Sequence, residues 1–279
     1  NSETNPSGVS FKPDGTKMYI IGSNDDQIKE FALSTAWDVT TSTLNHAQAV
    51  GAGSNVPSDL YISPDGTRIF STDTNTRRVY QSTLTTAWDL STRTVDSVNF
   101  FNDNNRQFQG IYFKPDGTKM ALCDGPGDTL RMYSLSTAWD VTTATEDNSY
   151  QIDDVNVNSQ PMAIWISDDG YKVIVVDHLE NIIEYSLPTA WSFATVNYVS
   201  HQGGFEPDSQ FVGLYYEPDI NRAFIVGDTQ NRVYEYTTKA KNESSSTVNY
   251  GSTYAAKLFT GPINTNMNRI DAGFIYAGG

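Results

Sequence analysis

Residues 111–140 read Ile-Tyr-Phe-Lys-Pro-Asp-Gly-Thr-Lys-Met-Ala-Leu-Cys-Asp-Gly-Pro-Gly-Asp-Thr-Leu-Arg-Met-Tyr-Ser-Leu-Ser-Thr-Ala-Trp-Asp. Two landmarks in this stretch recur along the chain. The first is a turn: Phe-Lys-Pro-Asp-Gly at 11–15, Ile-Ser-Pro-Asp-Gly at 62–66, Phe-Lys-Pro-Asp-Gly at 113–117, Ile-Ser-Asp-Asp-Gly at 166–170 and Tyr-Glu-Pro-Asp-Ile at 216–220. Pro13, Pro64, Pro115, Asp168 and Pro218 therefore follow one another at spacings of 51, 51, 53 and 50. The second is Thr-Ala-Trp-Asp at 35–38, 86–89 and 137–140, and Thr-Ala-Trp-Ser at 189–192. Trp37, Trp88, Trp139 and Trp191 keep the same step, and the fifth copy has no Trp.

Each unit reads as four short strands. In the first unit these are Val9–Lys12, Met18–Ile21, Ile28–Leu33 and Leu44–Val50, and no segment has sustained helical periodicity. A single four-stranded sheet cannot bury both faces. Radial stacking covers each face with its neighbour, so a period near 51 predicts the blades of a β-propeller. The fold class is all-β: a five-bladed β-propeller of four-stranded antiparallel blades. The alternative is an incomplete ring, with six or more blades completed by another chain. The propeller is placed over residues 1–260, with blades at 8–57, 58–108, 109–160, 161–210 and 211–260. The last blade takes its fourth strand from Thr247–Phe259, which leaves 261–279 as a C-terminal extension.

The string Pro-Asp-Gly-Thr, then Lys or Arg and an apolar strand such as Met18-Tyr19-Ile20-Ile21, resembles the YVTN/lactonase-like and NHL-like β-propeller repeats. The form ending in Leu-Ser-Thr-Ala-Trp-Asp is similar to arrays in phage structural proteins and in environmental bacterial surface proteins. The resemblance runs from residue 8 to about residue 240. It implies the fold, and it hands over no catalytic residue, because propellers host lectins, hydrolases, assembly platforms and adhesins alike.

Composition narrows the function. The 279 residues carry 33 acidic and 18 basic side chains, for a net charge of −15. Nucleic acids and anionic membranes draw their affinity from Lys and Arg, so both are disfavoured partners. Cys123 is the only cysteine, which excludes a disulfide scaffold and a multi-cysteine metal site. No apolar run is long enough to span a bilayer. The chain opens at Asn1 without a basic-then-apolar leader and reads as one whose targeting segment has been removed.

The recurring residues read first as structure. Asp14, Asp65, Asp116 and Asp169 are turn-capping acids, paired across the hairpin with the base three residues on. At the fifth turn Ile220 stands where Gly is expected, so Asn221 takes the left-handed position. Thr35 and Asp38 have capping-box spacing around a single helical turn. Two readings of the tryptophans stay open here. They anchor blade against blade, or they form a ring of sugar-stacking faces.

A binding site needs asymmetric chemistry, so it is expected among the variable B–C and D–A loops. The candidates there are Asp73, Phe101, Asp103, Asp124, Asp177, His178, Phe205 and Asp228. Their carboxylates suit Ca²⁺ and their rings suit sugars, but no EF-hand pattern is present and no cofactor is expected. The three histidines have no metal-binding spacing, and no nucleophile elbow occurs. The expected function is non-enzymatic: a structural or host-recognition module displayed outside the cell, on a virion or a cell surface. It attaches to other structural proteins through Ile270, Phe274, Ile275 and Tyr276 of the tail. The alternatives are a secreted carbohydrate-active enzyme, which needs two placed carboxylates, and a multivalent lectin.

Overall fold

Strand alternation decides the architecture. Along Lys17–Gly22, Met18 and Ile20 point to one side and Tyr19 and Ile21 to the other. The first pair packs against Phe224 and Val226, and the second against Leu60, Ile62 and Ile69. Every blade repeats this two-sided burial, so apolar cores form between adjacent sheets and none is confined to a single sheet.

The computed structural model describes residues 5–51, 53–101, 106–153, 160–203, 210–239, 255–260 and 264–274, with side chains described through residue 236. Blade one comprises β1 (Pro6–Phe11), β2 (Lys17–Gly22), β3 (Gln27–Leu33) and β4 (Ser42–Ala49). Blade two comprises β5 (Pro57–Ile62), β6 (Arg68–Asp73), β7 (Arg78–Leu84) and β8 (Arg93–Phe101). Blade three comprises β9 (Phe108–Phe113), β10 (Lys119–Asp124), β11 (Thr129–Leu135) and β12 (Ala144–Gln151). Blade four comprises β13 (Pro161–Ile166), β14 (Lys172–Asp177), β15 (Ile182–Ser186) and β16 (Asn197–Gln202). Blade five starts with β17 (Phe211–Glu217), β18 (Arg222–Gly227) and β19 (Arg232–Lys239). All neighbours pair antiparallel in chain order through the first four sheets.

The inner strands close a ring. β1 contacts β5, β5 contacts β9, β9 contacts β13, β13 contacts β17, and β17 returns to β1. Closure therefore occurs within one chain, at five blades. The seam between blades five and one is a full core: Phe11 lies 4.3 Å from Phe224 and 5.2 Å from Tyr215, ring centre to ring centre. Gly213 sits there against the Ser7 carbonyl and the Gly8 Cα, where a Cβ would come within 2.8 Å and 2.9 Å.

The last blade differs from the sequence expectation. The strand paired with β19 is not drawn from Thr247–Phe259. It is Asn264–Phe274 (β21), in register from Arg232 opposite Phe274 to Lys239 opposite Asn266. Ala255–Thr260 (β20) lies outside it as a fifth strand. The longer strand covers the exposed edge of β19 along its whole length, which a six-residue strand would not. Residue 260 is therefore no structural boundary, and Ile270 and Phe274 belong to β21. Ile275 and Tyr276 lie outside the described residues.

The turns show why the motifs recur. Asp14 accepts hydrogen bonds from the Thr16 amide (3.0 Å) and hydroxyl (2.6 Å), and its salt bridge is to Lys12 (2.6 Å). Asp65, Asp116 and Asp169 close their turns in the same way. The base three residues on is salt-bridged elsewhere in blades one, three, four and five, while Arg68 of blade two acts on Asp65 through its charge. Lys17 pairs with Glu30 of β3 at 2.7 Å, Lys119 with Asp147, Lys172 with Glu184 and Arg222 with Glu235. Its long stem carries the charge past the turn to the acid across the sheet. Asn221 does take the left-handed conformation, at φ 53°.

Thr-Ala-Trp-Asp is a turn, not a helical turn with a capping box. Asp38 instead caps the next element, the 3-10 turn Val39–Thr41, by accepting the Thr40 amide. Asp89 and Asp140 do the same in their blades. Each Trp is held at positive φ, 66° at Trp37 and 55–64° at the others. That geometry lays its ring on the glycine of its own A–B turn and toward the preceding blade. Trp37 stacks near Tyr215 and Phe224, Trp139 near Tyr61 and Phe70, and Trp191 on Tyr112. The tryptophans are blade anchors; they do not form an open ring of stacking faces.

Polar bonds reinforce the same joints. Lys17 Nζ and Tyr19 Oη both donate to the Trp88 carbonyl at 2.7 Å, and Arg222 Nη1 donates to the Trp37 carbonyl at 3.2 Å across the closing seam. Glu30 Oε2 accepts the buried Leu90 amide of the next blade at 2.8 Å. Leaving such an amide unpaired would cost about 1–3 kcal/mol.

Candidate functional site

The five inner strands can be compared position by position. The third residue is Gly8, Asp59, Gly110, Ala163 and Gly213. Small residues are required there because the strands nearly touch. A Cβ on Gly110 would lie 2.8 Å from the Ala163 Cα. Asp59 breaks the pattern with a carboxylate at 3% exposure. Its Oδ2 accepts the Ile111 amide of blade three at 3.0 Å, and its Oδ1 accepts the Leu60 amide at 2.8 Å. Burial pushes its pKa well above the usual carboxylate range, and those two hydrogen bonds only oppose the shift.

The fifth residue of each inner strand is Ser10, Tyr61, Tyr112, Trp165 and Tyr215. Four blades thus put a large ring toward the axis, and blade one leaves its sector open. Tyr61 and Tyr112 meet edge to face at 5.3 Å, and Tyr112 and Trp165 at 6.5 Å. These residues line an axial cavity of about 610 Å³, with Asp59 in its wall. The A–B turns form its rim, through Pro13, Pro64, Pro115 and Pro218, together with Asp168, Asp169, Glu217 and Asp219. No Lys, Arg or His lines it among the described residues.

Among the rim acids, Glu217 is shifted upward by its surroundings. Tyr215 Oη donates to Glu217 Oε2 at 3.2 Å. Burial first, then the Asp219 and Asp168 carboxylates, raise the Glu217 pKa. Tyr112 is raised well above the usual phenol value by burial, with Tyr61, Asp168, Tyr215 and Glu217 adding to it. The cavity therefore holds phenols that stay protonated and carboxylates with no basic partner.

The loop-face candidates behave differently. Asp73 is fully buried. Its Oδ2 accepts Ser54 Oγ and the Asn55 and Val56 amides at 2.8–3.0 Å, and its Oδ1 accepts the Thr76 amide at 2.7 Å. Burial opposes ionisation there, yet these hydrogen bonds hold its pKa below the usual range. Asp177 is likewise used by the Leu179 and Asn181 amides. Asp124 binds Arg131 at 3.0 Å, and Arg131 continues to Glu146. These three acids fasten their own loops. Phe101 is 48% exposed and lies under the Arg78 guanidinium, 4.7 Å from ring centre. His178 and Asp228 are half-buried, each with its amide bonded to the D–A segment of its own blade. Asp103 and Phe205 lie outside the described residues. The six described candidates are spread over blades two to five, with Asp73 and Phe101 in blade two and Asp177 and His178 in blade four, and none of them lines the axial cavity. Among the described residues no three His, Cys, Asp or Glu side chains converge as metal ligands. Cys123 is buried in the core between blades three and four, and its thiol pKa is driven well up by that burial.

Comparison with known proteins places the fold. No protein-family model and no curated protein matches the chain. Among solved structures it is similar to a candidate 6-phosphogluconolactonase from Bacteroides uniformis, at 15% identity and TM-score 0.52 over 83% of this chain. It is similar to the periplasmic gluconolactonase of Pseudomonas aeruginosa at 11% identity and TM-score 0.51 over 84%. A functionally unknown protein from Desulfotomaculum acetoxidans aligns over 84% at 10% identity and TM-score 0.46. The chain covers 66% of the length of each. What the chain shares with the two lactonases is the β-propeller fold. No helix among the described residues is long and apolar enough to cross a membrane.

Proposed function

We propose that this chain is a non-enzymatic recognition propeller displayed outside the cell, on a virion or cell surface, and that it binds its ligand in the axial cavity. The observation that carries this is the cavity wall: four large aromatic residues at one repeat position, carboxylates at the rim and in the wall, and no basic side chain. Such a wall suits a small polar molecule with an apolar face, uncharged or positively charged, including a saccharide unit. It disfavours a phosphorylated or carboxylated ligand, whose oxyanions call for Arg or Lys. Attachment to a larger assembly is assigned to β20, the end strand of its sheet among the described residues, since an end strand can pair with another chain.

Calorimetric titration with neutral sugars, amines and gluconate tests the reading. Binding of a neutral or cationic member, and none of gluconate, is expected. Preferential binding of gluconate contradicts it.

One observation favours a second reading. Asp59 is a carboxyl with a strongly raised pKa beside a cavity, which is the setting of a general acid. A small-lactone hydrolase built on it would turn over gluconolactone and lose that turnover in Asp59→Asn. The recognition reading expects no turnover above the solvent rate in either protein.

A further inference from the structure

Elsewhere in this fold, four acids on the strands carry a base, while Asp73 and Asp177 are satisfied by amides. Glu30 has Lys17, Asp124 has Arg131, Glu184 has Lys172 and Glu235 has Arg222, at 2.7–3.2 Å. The cavity acids carry no base. Among the described residues, Asp59, Asp168, Glu217 and Asp219 have no Lys, Arg or His partner, and Asp168 and Asp219 stand close enough to Glu217 to raise its pKa. The missing element of this arrangement is a positive charge.

The rings point the same way. Tyr61, Tyr112, Trp165 and Tyr215 come from four successive blades around the axis, and an aromatic enclosure attracts a cation through the negative face of each ring. A metal ion would call for several carboxylates converging on one point, and none do so among the described residues. An organic cation needs no such convergence. It asks for π surface, nearby negative charge and room, and a 610 Å³ cavity gives it room. The net charge of −15 adds a long-range pull toward cations.

We propose that the ligand of the axial cavity is an organic ammonium group, caged by Tyr61, Tyr112, Trp165 and Tyr215 and neutralised by Asp168 and Glu217 at the rim. This deepens the recognition reading and rests on its placement of the site. Ser10, where blade one lacks the ring, marks the open sector through which the rest of the ligand extends.

The test compares choline with 3,3-dimethylbutan-1-ol, which has the same shape without the charge, by isothermal titration calorimetry on the full chain. Glucosamine and glucose form a second charged and uncharged pair. The charged member of a pair is expected to bind at least about tenfold more tightly. That preference is expected to shrink severalfold in Asp168→Asn/Glu217→Gln, with the fold of the variant checked by circular dichroism. It is also expected to shrink as salt rises from about 0.05 to about 0.5 M. Equal binding of both members, or a preference unchanged in the double variant, overturns the cation inference and leaves the recognition reading standing. No binding by any of the four overturns both.

Discussion

The Gly15 carbonyl accepts the Trp37 amide at 2.9 Å, and the Trp37 ring occupies the space where a Cβ on Gly15 would be. The pairs Gly66–Trp88, Gly117–Trp139 and Gly170–Trp191 repeat both contacts. Turn and anchor are thus one device. Blade five confirms it by losing both halves together: Ile220 replaces the glycine, and no tryptophan follows β19.

Gly15→Ala meets two obstacles, a φ of +72° and the indole. The expected loss is about 2–5 kcal/mol, from left-handed strain plus overpacking. Gly53→Ala is the control, because its φ of +86° is strained but nothing lies within 4 Å of its Cβ. About 1–2 kcal/mol is expected there. Urea denaturation of both variants separates the two contributions.

Stability should fall between mildly acid and neutral pH. Burial, with the Asp38 carboxyl adding and Arg222 opposing, pushes Glu235 up to about 7 from an ordinary 4.5. The folded state therefore holds this proton more tightly than the unfolded chain. The contribution is full below 4.5, is lost as pH rises through about 7, and stays lost above it. Glu235→Gln should flatten that part of the pH profile. Asp14 and Asp116 act in the opposite sense at lower pH. Burial resists their ionisation, but hydrogen bonds from Lys12 and Thr16, and from Lys114 and Thr118, hold both at about 2. Their contribution is present above 3.8 and is lost as pH falls toward 2. Thermal melts across pH 2–9 check both signs.

Asp73→Ala should cost about 2–4 kcal/mol, because three part-buried amides and two hydroxyls lose their buried acceptor. Phe101→Ala on the same face should cost under about 1 kcal/mol, since that ring is half exposed. Similar losses for the two would contradict the loop-fastening role assigned to Asp73.

Deleting residues 264–279 removes β21 and bares β19 beside blade one. A lower melting temperature and a tendency to associate through that edge are expected. A deletion that melts like the full chain would show that β21 is not the fourth strand of the blade.

The ring was legible because its signal is a repeat. An aspartate-glycine turn, led by proline in three copies, and a tryptophan keep step over four copies, and only blade stacking explains both. The cavity was not legible by the same route. Its residues sit at ordinary strand positions, and Tyr61 or Asp59 taken alone reads as a strand residue. The available signal was comparison down the repeat: Asp59 stands in a column of Gly and Ala, and Ser10 in a column of rings. The loop acids misled for the complementary reason. Asp73, Asp124 and Asp177 end β6, β10 and β14 at equivalent positions, so they too are repeat residues, and their loops consume their lone pairs. The C-terminal strand was misplaced because two stretches could complete blade five, and only pairing length decides between them.

The most direct test of the account is to close the cavity while leaving the loop face intact. Ser10→Trp puts into blade one the ring that the other four blades carry at that position. Titration with the tightest binder among choline, 3,3-dimethylbutan-1-ol, glucosamine and glucose would be run on the wild type, Ser10→Trp and Phe101→Ala. The account predicts binding abolished in Ser10→Trp, with an unchanged fold by circular dichroism, and retained in Phe101→Ala. Binding that survives in Ser10→Trp and is lost in Phe101→Ala would put the site on the opposite face and contradict it.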